Sequence, residues 1–165
     1  LMESGQQHGI ANAGYRAIES LRLEKGYRAW GADIGPDHTP PEAGLGWAVK
    51  LAKEIAFLGR DALLAKRSQP LKKRLVCFTV DDPGVVLLGR ETIYRDGERV
   101  GWLSSAGWGH TVGKNIGFGY VRNARGVDTQ WLDSGRYELE VAAERMACKL
   151  HLAPLYDPRG ERVKA

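Results

Sequence analysis

The sequence has only two cysteines, Cys77 and Cys148, far apart and in no CxxC spacing. That excludes a disulfide framework and a zinc ribbon. No apolar run approaches about 18 residues, so no membrane-spanning helix is expected. No basic-then-apolar stretch opens the chain, so a secretory signal is not read here. The first residue is Leu1 rather than Met, and a segment upstream of it is expected. Charge of one sign is also lacking: 24 Lys and Arg stand against 20 Asp and Glu, a net +4. The two signs are interspersed, which argues for a mildly basic surface rather than a nucleic-acid-binding tail. Disorder is excluded by a hydrophobic fraction of 43%. The length suits one ordinary domain or two small ones, and no internal repeat is present. Free thiols fit a reducing compartment. The expectation is the cytoplasm, or the mitochondrial matrix in a eukaryote.

The period of the apolar residues changes along the chain. Residues 1–13 are polar and glycine-containing. From Gly14 to Glu24, Tyr15, Ile18 and Leu21 recur at helical spacing, with Arg16, Glu19, Ser20 and Glu24 opposite. Gly26 ends this helix. Residues 33–41 read as a loop. Trp47 to Leu51 reads as a short strand with Trp47, Val49 and Leu51 on one face. Gly59 to Arg67 reads as a second helix, with Leu63 and Leu64 inward and a basic end that suits its C-terminus. Gln69-Pro70 breaks it. After Lys73 the period is two. Strands are expected at Leu75–Val80, Thr92–Arg95, Arg99–Leu103, Ile116–Val121, Tyr137–Val141 and Met146–Leu152. Asp96-Gly97 is a type I′ hairpin signal. Cys77 and Cys148 lie in strands and read as small buried thiols. The fold class is therefore α+β: a small two-helix α/β segment over 1–72, then an antiparallel β-barrel over 73–165.

Several motifs are weaker than they look. Gly109-His110-Thr111-Val112-Gly113-Lys114-Asn115 has three residues between its glycines, and Asn115 follows the lysine. A P-loop needs four, then Ser or Thr, then a helix. The segment reads instead as a glycine-rich loop between barrel strands, where Gly supplies turns other residues cannot adopt. Gly117-Phe118-Gly119-Tyr120-Val121 matches the middle of an RNA-recognition strand, but its flanks do not. Phe118 and Tyr120 share a strand face and read as core. Asp33, Asp37, His38 and Glu42 crowd one loop, yet not at EF-hand spacing. They read as caps around a short helical turn, and no metal ligand set is assigned. His8 and His38 read as exposed loop residues. His151 faces away from the apolar side of its strand. His110 in the glycine-rich loop is the histidine to watch. Lys66-Arg67 and Lys72-Lys73-Arg74 read as a solvated linker or as an attractor of an anion such as phosphate or a polyglutamate tail. No residue is assigned a catalytic role.

Two stretches are more specific than the rest. One is Leu21-Arg22-Leu23-Glu24-Lys25-Gly26-Tyr27-Arg28-Ala29-Trp30-Gly31, followed by Thr39-Pro40-Pro41-Glu42-Ala43-Gly44-Leu45-Gly46-Trp47. The other is Ser105 to Ile116. With the ending Pro154–Arg162, and in this order, they resemble the C-terminal part of the glycine-cleavage T-protein (aminomethyltransferase) family. The resemblance is nearest to its dimethylglycine and sarcosine dehydrogenase branch. It implies that 1–72 is the remnant of a folate-binding domain and 73–165 its C-terminal barrel. It implies tetrahydrofolate as cofactor, with FAD only in an upstream domain of a fused parent. Folate, a small amine donor and upstream domains of the same protein would be the partners, with neither nucleic acid nor membrane among them. The catalytic carboxylates would lie upstream of Leu1, so the segment is expected to be inactive alone.

The one position carried over is Trp47, which matches a folate-lining position. The competing reading makes Trp47 a core residue pinning its strand to the first helix. Ile18 stands where the family has an arginine for the folate tail, with Arg16 or Arg22 as substitutes. Arg22 and Glu24 read as structural. The Ser105–Ile116 loop is expected to shape or cover the folate opening. A different class of function is a small barrel that binds single-stranded nucleic acid through exposed Trp108, Trp131 or Phe118. A third is purely structural closure of a larger body, which expects an exposed apolar patch on 1–72.

Overall fold

A computed structural model describes residues 1–164. Six strands form its centre: β1 (Lys73–Val80), β2 (Thr92–Arg95), β3 (Glu98–Gly109), β4 (Lys114–Arg122), β5 (Tyr137–Val141) and β6 (Glu144–His151). They close into a barrel in the order β1-β4-β3-β2-β5-β6, antiparallel at every pairing. Closure removes the free edges that an open sheet would expose. The short helices are α1 (Met2–Gly5), α2 (Tyr15–Lys25), α3 (Arg60–Lys66), α4 (Thr129–Ser134) and α5 (Glu161–Lys164). No helix among the described residues is long and apolar enough to cross a membrane.

Side-chain alternation builds two cores. Val76, Phe78 and Val80 of β1 point into the barrel with Ile93, Leu103, Val121 and Leu139. Leu75 and Cys77 point outward and pack with Ile116, Phe118, Tyr120 and Leu23 of α2. The aromatics Phe118 and Tyr120 are thus core residues, as their strand spacing suggests. The glycines between them leave the inner face of β4 bare for a reason. A Cβ on Gly117 would stand 2.5 Å from Leu103 Cδ1, and one on Gly119 would stand 2.6 Å from both Ile93 Cδ1 and the Trp102 carbonyl oxygen. The missing side chains are the space that Leu103 and Ile93 fill.

Turn chemistry matches the hairpins. Asp96 and Gly97 both take positive φ, 51° and 86°, as a type I′ turn requires. Ala142 and Ala143 do the same at the second hairpin, 49° and 67°, a conformation that strains alanine. α2 ends as expected. Gly26 adopts the left-handed conformation, and the Tyr27 N–H returns to the Arg22 carbonyl at 2.8 Å.

Four expectations are corrected. The first concerns α2, whose apolar stripe faces out: Tyr15 is 76% exposed, Ile18 57% and Leu21 61%. The helix buries its other side, Leu23 and Glu24, against the barrel. Residues Gly46–Ala48 form a 3₁₀ turn instead of a strand, with Val49 N–H bonded to the Gly46 carbonyl. Local bonds satisfy that backbone, and among the described residues no strand pairs with it. In α3, Leu63 is half-buried, but Leu64 is exposed. The glycine-rich loop is shorter than expected, with Gly113 at φ 69° in its turn as the sequence suggests. β3 continues through Gly109, and only residues 110–113 turn. Gly107 and Gly109 serve close approach rather than turning: added Cβ atoms would stand 3.1 Å from Leu23 Cδ1 and 2.5 Å from Ile116 Cδ1.

Candidate functional site

The two sequence stretches that carry the resemblance meet in space, and what they build is a polar junction. Its centre is Asp33, which has no exposed surface. Asp33 Oδ2 accepts from the Arg22 guanidinium at 2.8 Å and from the Ala29 N–H at 3.0 Å. Its Oδ1 accepts from the Ser104 hydroxyl at 2.5 Å. The Tyr120 hydroxyl donates to the Asp33 carbonyl at 3.0 Å. Arg22 also reaches Glu19 and the Ser105 hydroxyl. A bulge between Leu103 and Ser105 makes this possible. Neighbours on a regular strand face opposite ways. The bulge adds a residue and re-aims the chain, so Ser104 and Ser105 both meet the helical segment.

Glu24 makes the second part of the junction. It is 1% exposed, and its Oε1 accepts from the N–H groups of Thr111 and Val112 at the β3–β4 turn, at 2.5 and 2.8 Å. Ser20 donates to the Trp108 carbonyl at 2.7 Å. The chain after β6 clasps the end of α2 from the other side. Tyr156 N–H bonds to the Glu24 carbonyl, and Lys25 pairs with Asp157 at 2.6 Å. The Leu-Arg-Leu-Glu run, the Ser105–Ile116 stretch and the Pro154–Arg162 ending are therefore three parts of one clamp. Arg22 and Glu24 are structural, as expected. Arg22 is engaged with four partners, Glu19, the Tyr27 carbonyl, Asp33 and Ser105, and is not free to stand in for the arginine that Ile18 replaces; Arg16 is exposed.

Burial around the junction makes it chemically quiet. Burial pushes the Cys77 thiol up to about 12, against the opposing influence of Arg28. Burial likewise pushes Cys148 up to about 12. Neither is a thiolate nucleophile at neutral pH. Burial also lowers Arg28, although Asp33 and Tyr120 oppose the shift; its guanidinium donates to the Ala43 and Gly26 carbonyls. Tyr120 is raised by burial first and then by Asp33 and Glu42.

The loop carboxylates do not converge. Asp33 serves the junction, while Glu42 accepts from the Thr39 N–H at 2.8 Å and lies 3.9 Å from Lys73. Glu42 is the cap of the turn that follows Thr39, as the sequence suggests. Among the described residues no three His, Cys, Asp or Glu side chains form a metal-binding group.

Trp47 stands apart from the junction. It is 75% exposed on its 3₁₀ turn, so it does not pin a strand to α2. Tyr27 and Trp30 are also exposed, at 54% and 74%. With Tyr15, Ile18 and Leu21 they give residues 1–72 a large share of exposed aromatic and aliphatic surface, of a kind that marks an interaction surface. A flat indole in this position can stack on, or edge-contact, another ring.

The histidines divide. His8 and His110 are exposed. His38 is half-buried, a correction, because its ring stacks on Tyr120 at 4.4 Å between centroids. His151 bonds Thr79 through Nε2 at 2.9 Å.

The nucleic-acid reading loses its platform. Phe118 is 5% exposed, and Arg95 covers the Trp131 ring at 4.4 Å. Trp108 is half-buried in β3. Asp33 is the residue that sequence reasoning underrated. It lies between Gly31 and Gly35 with no helical or strand period, and only its pairing with Arg22, made by folding, marks it out.

Comparison with known proteins agrees with this architecture. The family model of the glycine cleavage T-protein C-terminal barrel domain matches residues 73–157, and that of the GCVT N-terminal domain matches residues 1–53. Mitochondrial sarcosine dehydrogenase of Mus musculus is 45% identical over 99% of this chain, which spans 18% of that protein. Mitochondrial dimethylglycine dehydrogenase of Mus musculus is 41% identical over 73% of this chain and 14% of its own length. The crystal structure of the glycine cleavage system aminomethyltransferase T from Bartonella henselae superposes with a TM-score of 0.74 at 28% identity, covering 88% of this chain and 40% of that one. The chain therefore spans a minor part of each of these proteins. The helical segment and the closed six-stranded barrel match the two family models in order, and the chain belongs to the glycine cleavage T-protein family, as a counterpart of the C-terminal regions of its aminomethyltransferases and its sarcosine and dimethylglycine dehydrogenases.

Proposed function

We propose that this chain is the C-terminal segment of a tetrahydrofolate-dependent enzyme that moves a one-carbon unit from an N-methyl amine donor to folate. In this reading residues 1–72 are the end of the folate-binding domain and residues 73–165 are the barrel that braces it. Trp47 lines one wall of the folate site. The acid–base carboxylates come from the rest of the polypeptide, because Asp33 and Glu42 are already engaged within this chain. Any FAD belongs to another domain of a fused parent. The compartment would be the cytoplasm or the mitochondrial matrix.

The observation that carries this reading is the two-faced character of α2. One face is clamped to the barrel through Glu24 and Arg22, while Tyr15, Ile18 and Leu21 stand exposed on the other. Such a helix has a second body to cover. Exposed Trp47 fits one side of a site for a flat ring system.

The test is intrinsic fluorescence of the 165-residue chain titrated with tetrahydrofolate, corrected for inner-filter absorption, beside an oligonucleotide control. Saturable quenching that falls in Trp47→Leu is expected if part of the folate site lies here. Quenching unchanged in Trp47→Leu removes Trp47 from the site. Aminomethyl transfer by this chain alone would overturn the reading as a whole.

A further inference from the structure

Outside the polar junction, a cavity of about 390 Å³ opens between the Thr39–Leu51 segment, α3 and the Gln69–Lys72 connection. Its volume falls in the range of small-molecule sites, roughly 300–1,000 Å³. Val49, Leu51, Leu63 and Leu71 give it apolar walls, and Lys66, Arg67 and Lys72 stand at it as cations. Glu42 also lines it, but that carboxylate is occupied by the Thr39 N–H and lies near Lys73. Lys72 donates to the Ala124 carbonyl, which fixes its position. Among the described residues, none of these three cations has a carboxylate within ion-pair distance.

A basic linker in free solvent needs no cavity beside it, and an apolar cavity needs no cations around it. The helix C-terminus accounts for a preference for Lys66 and Arg67 there, but not for the apolar walls they adjoin. Together the two features make an amphipathic site. Apolar surface removes the body of a ligand from water, and charges beside low-dielectric walls hold an anionic end more strongly than they would in bulk water.

We propose that this cavity binds a small organic carboxylate with an apolar body, the carboxylate held by Lys66, Arg67 and Lys72 and the body by Val49, Leu51 and Leu63. The Trp47 ring does not line the cavity, although its neighbour Gly46 does, so the two sites adjoin without sharing that side chain.

The test is a titration of the ¹⁵N-labelled full chain followed by amide shifts. Sodium octanoate and 4-aminobenzoylglutamate serve as parallel probes, with octanol and inorganic phosphate as controls. Saturable shifts are expected around Val49, Leu51, Leu63 and the segment 66–72 with at least one of the carboxylates. The tighter of the two probes tells an aliphatic acid from an aromatic one. The double variant Lys66→Glu, Arg67→Glu changes exposed side chains and should weaken binding by about tenfold or more, an effect of about 1.4 kcal/mol, with barrel amides unmoved. Trp47→Leu should leave this binding unchanged, so the folate reading can fail while this one stands, and the reverse. Absence of saturable shifts with both carboxylates overturns the proposal. So does octanol or phosphate binding as tightly as the carboxylates, or charge reversal without effect.

Discussion

The barrel and the segment before it are built on opposite principles. The barrel encloses its own core: Phe78, Ile93, Leu103, Val121 and Leu139 are at or near zero exposure within one closed sheet. Residues 1–72 enclose almost nothing. Their buried apolar side chains are Leu23 and Ala43, and the other fully buried members are the charged residues Glu24 and Asp33. So little fully buried apolar side chain gives the segment little core of its own to offset the entropy of ordering it. The segment is therefore held by what it touches. Here it touches the barrel through buried polar groups, and its apolar faces remain outward.

The sharpest way to break this comparison is to separate the halves. Residues 1–72 alone should show a circular dichroism spectrum without a cooperative melt, whereas residues 73–165 should melt cooperatively. A cooperative transition in the isolated segment would mean it has a core that the structure does not show.

The next largest effect should come from the junction. Asp33→Ala leaves Arg22 partly buried without its inner partner and strips acceptors from Ala29 and Ser104. Breaking a buried pair in this way costs about 3–5 kcal/mol, read as a fall in denaturant midpoint. Arg22→Met in the same background should cost less than it does in the wild type, by about 1–3 kcal/mol, because the two residues act as a unit. Strict additivity would show that they do not.

Legibility in the sequence followed the same divide. Period-two alternation and Asp96-Gly97 made the strands and the first hairpin readable, since a closed barrel must bury alternate residues whatever lies around it. The helical segment was readable as elements but not as faces. The stripe Tyr15, Ile18, Leu21 announces an apolar side, yet periodicity cannot say which surface it meets. In this chain the barrel takes the side with Ser20, Leu23 and Glu24. Trp47 was misplaced for a related reason: alternation over a few residues suits a strand, but among the described residues no strand pairs with this segment, and Arg60 rather than a ladder takes up the Leu51 carbonyl. α4 was missed although its cap was present, Asp128 accepting from the Trp131 N–H at 2.7 Å. A helix of 6 residues has too little period to detect. Asp33 had no readable period, because the side chains that bind it, Arg22 and Ser104, come from α2 and from a bulge in β3.

The glycines sharpen the comparison at smaller scale. Gly119 lies inside the barrel, where an added Cβ would meet the Trp102 carbonyl at 2.6 Å, a backbone atom that cannot swing away. Gly119→Ala should lower stability by about 1–3 kcal/mol as overpacking. Gly107 faces α2, where the nearest atom is the tip of Leu23 at 3.1 Å. Gly107→Ala should cost under about 1 kcal/mol, since a side-chain end can give way. Equal costs at the two positions would mean that the junction is packed as rigidly as the barrel interior.

The smallest effect should be a pH dependence at the barrel seam. His151 pairs across to Cys77 where β6 closes on β1, and its ring bonds Thr79. Burial holds its pKa below the ordinary 6.5, aided by Lys149 and Lys114 and opposed by Asp81. The unfolded chain therefore takes up this proton first as pH falls. Stability from His151 is complete above pH 6.5 and is lost as pH drops through the folded value. Between about pH 7.5 and pH 5 the wild type should lose more stability than His151→Gln, read from denaturant midpoints at the two pH values. No charged group of the segment 1–72 contributes to this shift, so the part of the difference set by Lys149, Lys114 and Asp81 should persist in the isolated barrel. Its disappearance there would mean that the seam is set by the helical segment and that the two regions are less independent than their cores suggest.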